Sequence, residues 1–99
     1  MRIISVGRLK AFWERPSHRD AEPPLRAWVS VVRAARWVDP PAVKRMFGSA
    51  DILRDGRVVF DIGGNKYRLV AWVNYDYGVV YVRFVGTHRE YDRVDAQTV

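Results

Sequence analysis

This sequence predicts an α+β fold, with N-terminal helices packed on one face of a small antiparallel β-sheet. Three observations point to it. Leu25, Trp28, Val29, Val32 and Ala35 form an apolar stripe at helical spacing, with Arg26, Arg33 and Arg36 on the opposite side. From Ile52 onward, short runs of β-branched and aromatic residues alternate with turn residues. Helical patterns come first and strand patterns later, which is the order of segregated layers rather than of alternating β–α units.

Arg2-Ile3-Ile4-Ser5-Val6 reads as a short first strand ended by Gly7. Leu9, Phe12 and Trp13 then fall at i, i+3 and i+4 of a helix over Arg8–Arg15, which Pro16 stops. Ser17 or Asp20 is the expected cap of the next helix, and Pro23-Pro24 are tolerable only in its first turn. Asp39-Pro40-Pro41 signals a further helix start, with Asp39 as cap, and the short helix Ala42–Phe47 should end at Gly48. Asp55-Gly56 is a two-residue hairpin turn between strands, and Gly63-Gly64 breaks the second of them. Two further strands, Lys66–Val73 and Val79–Val85, flank the turn Tyr75-Asp76-Tyr77-Gly78, so the last three strands form an antiparallel meander. One face of this sheet meets the helices and the other is expected to lie open. Trp28 and Trp37 read as core.

Residues 1–99 form one domain: the chain is long enough for a single core, and 48% hydrophobic residues with 13% aromatics exclude a disordered chain. The absence of cysteine removes thiolate catalysis, disulfides and Cys-based zinc sites. His18 and His88 are the only imidazoles, and no metal-ligand spacing, phosphate-binding glycine loop or nucleophile elbow is present, so neither metal nor cofactor is expected. No apolar run reaches the roughly 20 residues of a membrane span; a cytoplasmic protein is expected. The net charge of +6 points to a polyanionic partner. Its distribution is uneven, with ten Lys/Arg against four Asp/Glu in residues 1–50 and seven against seven in residues 51–99. The first half suits sequence-independent docking on nucleic acid; the second holds a more concentrated site.

That site is the hairpin from Gly63 to Asp92. If its strands pair symmetrically about Asp76-Tyr77, Arg68 faces Val85 and Arg83 faces Val70. The two arginines are then diagonal neighbours on one face, about 7–8 Å apart and within joint reach of one phosphate. Like charges so placed repel unless an anion arrives. Lys66 extends the same face, and Thr87-His88-Arg89-Glu90-Tyr91 follows the second strand directly. Taken singly, each of these residues has an ordinary structural reading: solvated arginines, a capping His88, a packed Tyr91. Their convergence favours a phosphate site.

The combination of Gly63-Gly64-Asn65-Lys66-Tyr67-Arg68-Leu69 with the closing Thr87-His88-Arg89-Glu90-Tyr91-Asp92 resembles the HigB family of bacterial toxins, relatives of the RelE-type mRNA interferases. The likeness extends to the helix segment Leu25–Trp28, to Trp37-Val38-Asp39-Pro40 and to Val59-Phe60-Asp61-Ile62. It implies a compact RelE-like fold and metal-free endonucleolytic cleavage of translated mRNA in the ribosomal A site. It also implies neutralisation by a cognate helix-turn-helix antitoxin, through which alone the pair reaches operator DNA. Asp61 stands where many relatives are expected to have Asn, and at a turn approach it is expected to matter little.

RNA cleavage without a metal requires the 2′-hydroxyl to be deprotonated, the phosphorane charge stabilised and the leaving oxygen protonated. The candidate assignments are Arg68 and Arg83 to the scissile phosphate, His88 to acid or base duty, and Tyr91 to base stacking or proton donation. Lys66 falls to the flanking RNA backbone or to charge stabilisation, and Arg89 and Asn65 count with it among the RNA-binding residues. Asn65 is expected chiefly to shape the glycine turn, and His18, in the basic half, to be a surface or capping residue that borders the RNA if it reaches the cleft. Two other classes fit parts of the pattern: a non-catalytic RNA-binding module using a basic, aromatic sheet face, and a protein-binding domain whose open face is a partner interface.

Overall fold

The computed structural model describes the whole chain, Met1–Val99. Four helices and five strands form an α+β domain: β1 Arg2–Ile4, α1 Val6–Trp13, α2 Glu22–Ala34, α3 Pro40–Met46, β2 Asp51–Ile52, β3 Arg57–Ile62, β4 Tyr67–Asn74, β5 Val79–Thr87 and α4 His88–Tyr91, with a 3-10 segment, Pro16–Ala21, between α1 and α2. The sheet order is β1-β5-β4-β3-β2. The last four strands are antiparallel neighbours, but β1 runs parallel to β5 at one edge, so the sheet is mixed rather than purely antiparallel. The chain between β1 and β5, through the helices and then β2, β3 and β4, is long enough to bring β5 back beside β1 in parallel. No helix is long and apolar enough to cross a membrane.

The α2 stripe is buried as its spacing predicts: Leu25, Trp28, Val29, Val32 and Ala35 all lie in the main core, while Arg26, Arg33 and Arg36 are exposed. Trp28, Trp37 and Phe47 surround Phe60 of β3, with ring centroids 5.4, 6.3 and 5.0 Å from it. From β4, Tyr67, Leu69, Ala71 and Val73 meet the helices. Truncating a fully buried Leu25 or Leu69 to Ala in such a core costs about 2–5 kcal/mol. Asp39 caps α3 as expected, its carboxylate accepting from the Ala42 amide at 3.0 Å. The Asp55-Gly56 turn takes positive φ at both residues, 55° and 79°, as a tight two-residue hairpin requires.

Four expectations are corrected. Gly7 does not end β1 but lies inside α1; a glycine near a helix start is a mild cost that the Leu9–Phe12–Trp13 face outweighs. Neither Ser17 nor Asp20 caps α2, which begins directly from the 3-10 segment with its prolines in the first turn and no side-chain cap. The second sheet face is not open: Ala96 of the C-terminal segment packs on Val59 and Val70, flanked by Leu53, Phe84, Tyr91 and Val99. Finally, the β4–β5 pairing is symmetric only near the turn. It runs Trp72↔Tyr81 and Ala71↔Val82, then slips by one at a bulge to Val70↔Phe84, Leu69↔Val85 and Arg68↔Gly86. Arg83 is the extra residue of that bulge.

Candidate active site

The site forms where the β3–β4 turn meets α4 and the 3-10 segment. Gly63 and Gly64 turn the chain with φ of 63° and 69°. A Cβ on Gly64 would meet nothing within 4 Å, so its glycine is required by backbone conformation, not by crowding. The turn delivers Asn65 and Lys66 ahead of the closing pair Ile62↔Tyr67. On the other side Thr87 and Glu90 form a capping box. The Thr87 hydroxyl accepts from the Glu90 amide at 3.1 Å, and the Glu90 carboxylate accepts from the Thr87 amide at 2.9 Å. Thr87-x-x-Glu90 is a readable capping signature, and it explains what the Thr and Glu of the closing motif do. The hydrogen bond from the Thr87 amide holds the Glu90 carboxyl below the usual range against the opposing effect of burial, with smaller help from the Thr87 side chain, His18 and Arg15. The box starts α4 against the turn, and the His88 amide donates to the Lys66 carbonyl at 3.3 Å.

Arg68 is the hub. Its side chain is only 12% exposed, and its Nε sits 3.1 Å from the carboxylate of Asp61, its direct cross-strand partner on β3. It also donates to the Asn65 side chain at 2.5 Å and to the Asn65 and Tyr67 carbonyls at 3.3 and 3.4 Å, and it lies 5.9 Å from the Tyr91 ring. The anion expected to offset the charge of Arg68 is therefore built in. Asp61 is not a minor turn residue, and Asn65 holds Arg68 as well as shaping the turn.

Arg83 is not brought beside Arg68. It lies three residues from Gly86, the partner of Arg68, or about 10 Å along the strand. It donates to the Val99 carbonyl at 3.2 Å. The slip, which alternation alone does not reveal, undoes the shared-phosphate geometry.

Lys66 pairs with Asp20, whose second oxygen accepts the Tyr67 hydroxyl at 2.5 Å. These hydrogen bonds lower the Asp20 carboxyl and raise the Lys66 ammonium, while burial, more than Asp20, raises the Tyr67 phenol. Asp20, read from sequence as a possible helix cap, instead fastens the 3-10 segment to the turn. No local pattern signals a contact between residues so far apart in the chain.

His88 is about half exposed, with the Asp92 carboxylate 3.4 Å from Nδ1. Nε2 is left without a protein partner. Tyr91 is half-buried between Arg68 and Phe84, whose ring centroid is 6.5 Å away, and burial pushes its phenol up. Arg89 is exposed and unpaired. His18 is neither a free surface residue nor a cap. Its ring stacks on Phe12 at 4.2 Å and meets the edge of Tyr67 at 5.9 Å, and its Nδ1 is buried without a partner. It borders the cluster on the Tyr67 side.

Residues 21–94 match the family described as HigB_toxin, RelE-like toxic component of a toxin-antitoxin system. The chain is similar to the mRNA interferase toxin HigB of Escherichia coli (strain K12), at 34% identity over 95 residues, covering 93% of this chain and 88% of that protein. The mRNA interferases HigB of Escherichia coli O157:H7 and Shigella flexneri match to the same extent, 34% identity over 93% of this chain and 88% of theirs. The family match spans β3, β4, β5 and α4, the elements that build the cluster around Arg68, and on it the chain belongs to the HigB toxins, RelE-like toxic components of toxin–antitoxin systems.

Proposed function

We propose that this toxin is an mRNA endoribonuclease that acts on translated mRNA at the ribosome. The observation that carries the reading is the joining of the Lys66–Arg68 turn to α4 at one end of the sheet, which assembles cations, an imidazole and a phenol. Lys66 and Arg89 neutralise RNA phosphates. Arg68, held by Asp61 and Asn65, keeps its guanidinium oriented in advance and lends positive potential to the scissile phosphate as charge develops there. Arg83 takes a neighbouring phosphate. His88, through Nε2, moves the proton at the 2′-hydroxyl or the leaving oxygen, and Tyr91 stacks on a base or serves as the second proton donor. His18 lines the RNA path beside Tyr67. Attack by the 2′-oxygen on the adjacent phosphorus, with departure of the 5′-oxygen, leaves a cyclic phosphate or, after hydrolysis, a 3′-phosphate.

The family places the protein with an antitoxin; we assign that partner the helix-turn-helix class, with operator DNA reached through it. Induction of the chain without an antitoxin is expected to arrest growth and to cut transcripts inside translated regions. Primer extension on a reporter transcript whose start codon and ribosome-binding site are removed, so that it is made but not translated, should show those cuts disappear from it. Intact transcripts at high levels of folded protein would overturn the activity, whereas equal cutting of naked and translated RNA would remove only the ribosome from it.

A further inference from the structure

At the opposite end of β4 lies a cavity of about 570 Å³, walled by the end of α2, by the 75–78 turn and by the start of β1. β4 has eight residues, so the cavity is roughly 25 Å from the turn that carries Lys66. Arg2, Arg33 and Arg36 line it, all exposed, and none of their guanidinium groups makes an ion pair or hydrogen bond within the protein. Arg26, Arg68, Arg8, Arg57 and Arg83 have protein partners; other surface arginines such as Arg45 and Arg89 have none, and what sets these three apart is that they line one cavity. The single acidic lining residue is Asp76. On the rim, Val38 is 75% and Tyr77 82% exposed, the two most exposed large apolar side chains of the molecule. In the wall, the Tyr75 hydroxyl is buried without a hydrogen-bond partner.

We propose that this cavity is a docking site for an acidic, amphipathic protein segment, which seats an apolar side chain between Val38 and Tyr77 and sets carboxylates on Arg2, Arg33 and Arg36. Guanidinium groups offer carboxylates a bidentate match, and exposed apolar area gains about 25 cal/mol per Å² when a partner covers it. The apolar rim decides between partner classes. An RNA strand would use the arginines and Tyr77, but gains little from an aliphatic Val38 standing in solvent. A protein segment uses all of them. The distance along β4 means that an occupant leaves the Lys66–Arg68 end free, and the inference stands whether or not that end cleaves RNA.

The test uses the full chain and a labelled synthetic peptide of alternating Glu and Leu, read by fluorescence anisotropy, with a labelled polyuridine strand as competitor class. The peptide is expected to bind the wild type, to weaken at least about tenfold in R33E/R36E, which removes two charge-assisted contacts, and to weaken also in Y77S. The control R45E, at an exposed position of α3 away from the cavity, should leave peptide binding within about twofold, and polyuridine binding should fall no more per reversed charge in R33E/R36E than in R45E. Should R33E/R36E fail to fold by circular dichroism, R36E and Y77S carry the same comparison. Absence of peptide binding, equal weakening by R45E, or loss of polyuridine binding in R33E/R36E with the peptide unaffected would each overturn the proposal, the last in favour of an RNA-binding patch.

Discussion

Arg68 shows how a single residue changes meaning once its neighbours are known. As a cation beside another cation, its removal should relieve repulsion; as the partner of Asp61 at 3.1 Å, its removal strands a carboxylate that is itself only 28% exposed. The pair is intermediate between surface and interior, so Arg68→Ala should cost about 1–2 kcal/mol. That corresponds to a fall in thermal midpoint of roughly 5–10 °C. Asp61→Asn in the same chain should recover part of the loss, a coupling that a double-mutant cycle measures. Cleavage per folded molecule should stay low in both variants, and full activity in the refolded Arg68→Ala protein would remove Arg68 from the site. His88 gives a cleaner separation, since it is about half exposed and its only polar side-chain contact is that of Nδ1 with the Asp92 carboxylate. His88→Gln is expected to keep RNA affinity within a few-fold while lowering the single-turnover rate by about 10²–10⁴, the usual worth of a general acid or base. A parallel fall of affinity and rate would reassign His88 to positioning, and an unchanged rate would pass the proton to Tyr91.

At the scale of elements, α4 is a four-residue helix that no propensity would stabilise alone. It exists because the Thr87–Glu90 box satisfies its first amides and the Lys66 carbonyl receives the His88 amide. Thr87→Ala should therefore cost about 1 kcal/mol and reduce activity beyond what the lost stability explains, because His88 and Tyr91 ride on that helix. The pH dependence follows in sign. The Glu90 carboxyl is held below its ordinary value by its hydrogen bond to the Thr87 amide, so its contribution is fully present above the ordinary carboxylate pKa and is lost as pH falls through the lower folded value. The midpoint difference between wild type and Glu90→Ala should be constant near neutrality and shrink below about pH 4. A difference that grew on acidification would contradict the box. Asp20, lowered by Lys66 and Tyr67, loses its hold on the turn over the same acid range.

On the scale of the whole molecule, β4 is central and separates two cores of unequal size. Leu69, Ala71 and Val73 face the helices, while Val70 meets Val59 and Ala96 on the other side. The C-terminal segment thus closes a face that would otherwise expose valines, and the Val99 carbonyl takes hydrogen bonds from Arg57 and Arg83. Ala96→Asp places a carboxylate against Val59 and Val70 and should cost at least about 2 kcal/mol, read as a midpoint lower by about 8 °C or more. An unchanged midpoint would mean that the segment contributes nothing to the fold. The same two-sided arrangement leaves the two proposed sites at the ends of the sheet, with the Lys66–Arg68 turn at one and the Arg33–Arg36 cavity at the other.

Sequence alone was enough for features whose cause is local. The α2 stripe, the Asp39 cap, the Asp55-Gly56 turn and the glycine turn before Lys66 each follow from side-chain periodicity or from backbone preferences within a few residues. The two motifs around Arg68 and His88 identified the family for the same reason: both are contiguous. Tertiary structure decided what depends on distant partners. The bulge at Arg83 shifts register without breaking the run of strand-forming residues, so alternation placed Arg83 beside Arg68 and the pairing did not. Asp20 and Lys66, and Ala96 and Val70, are separated by long stretches of chain whose closure is set by the collapse of the whole core. Asp61 lies near Arg68 in sequence, but only the β3–β4 register places it directly opposite. Charge type could be read from residues one at a time, whereas the neutralisation of each charge required knowing which strand lies beside which.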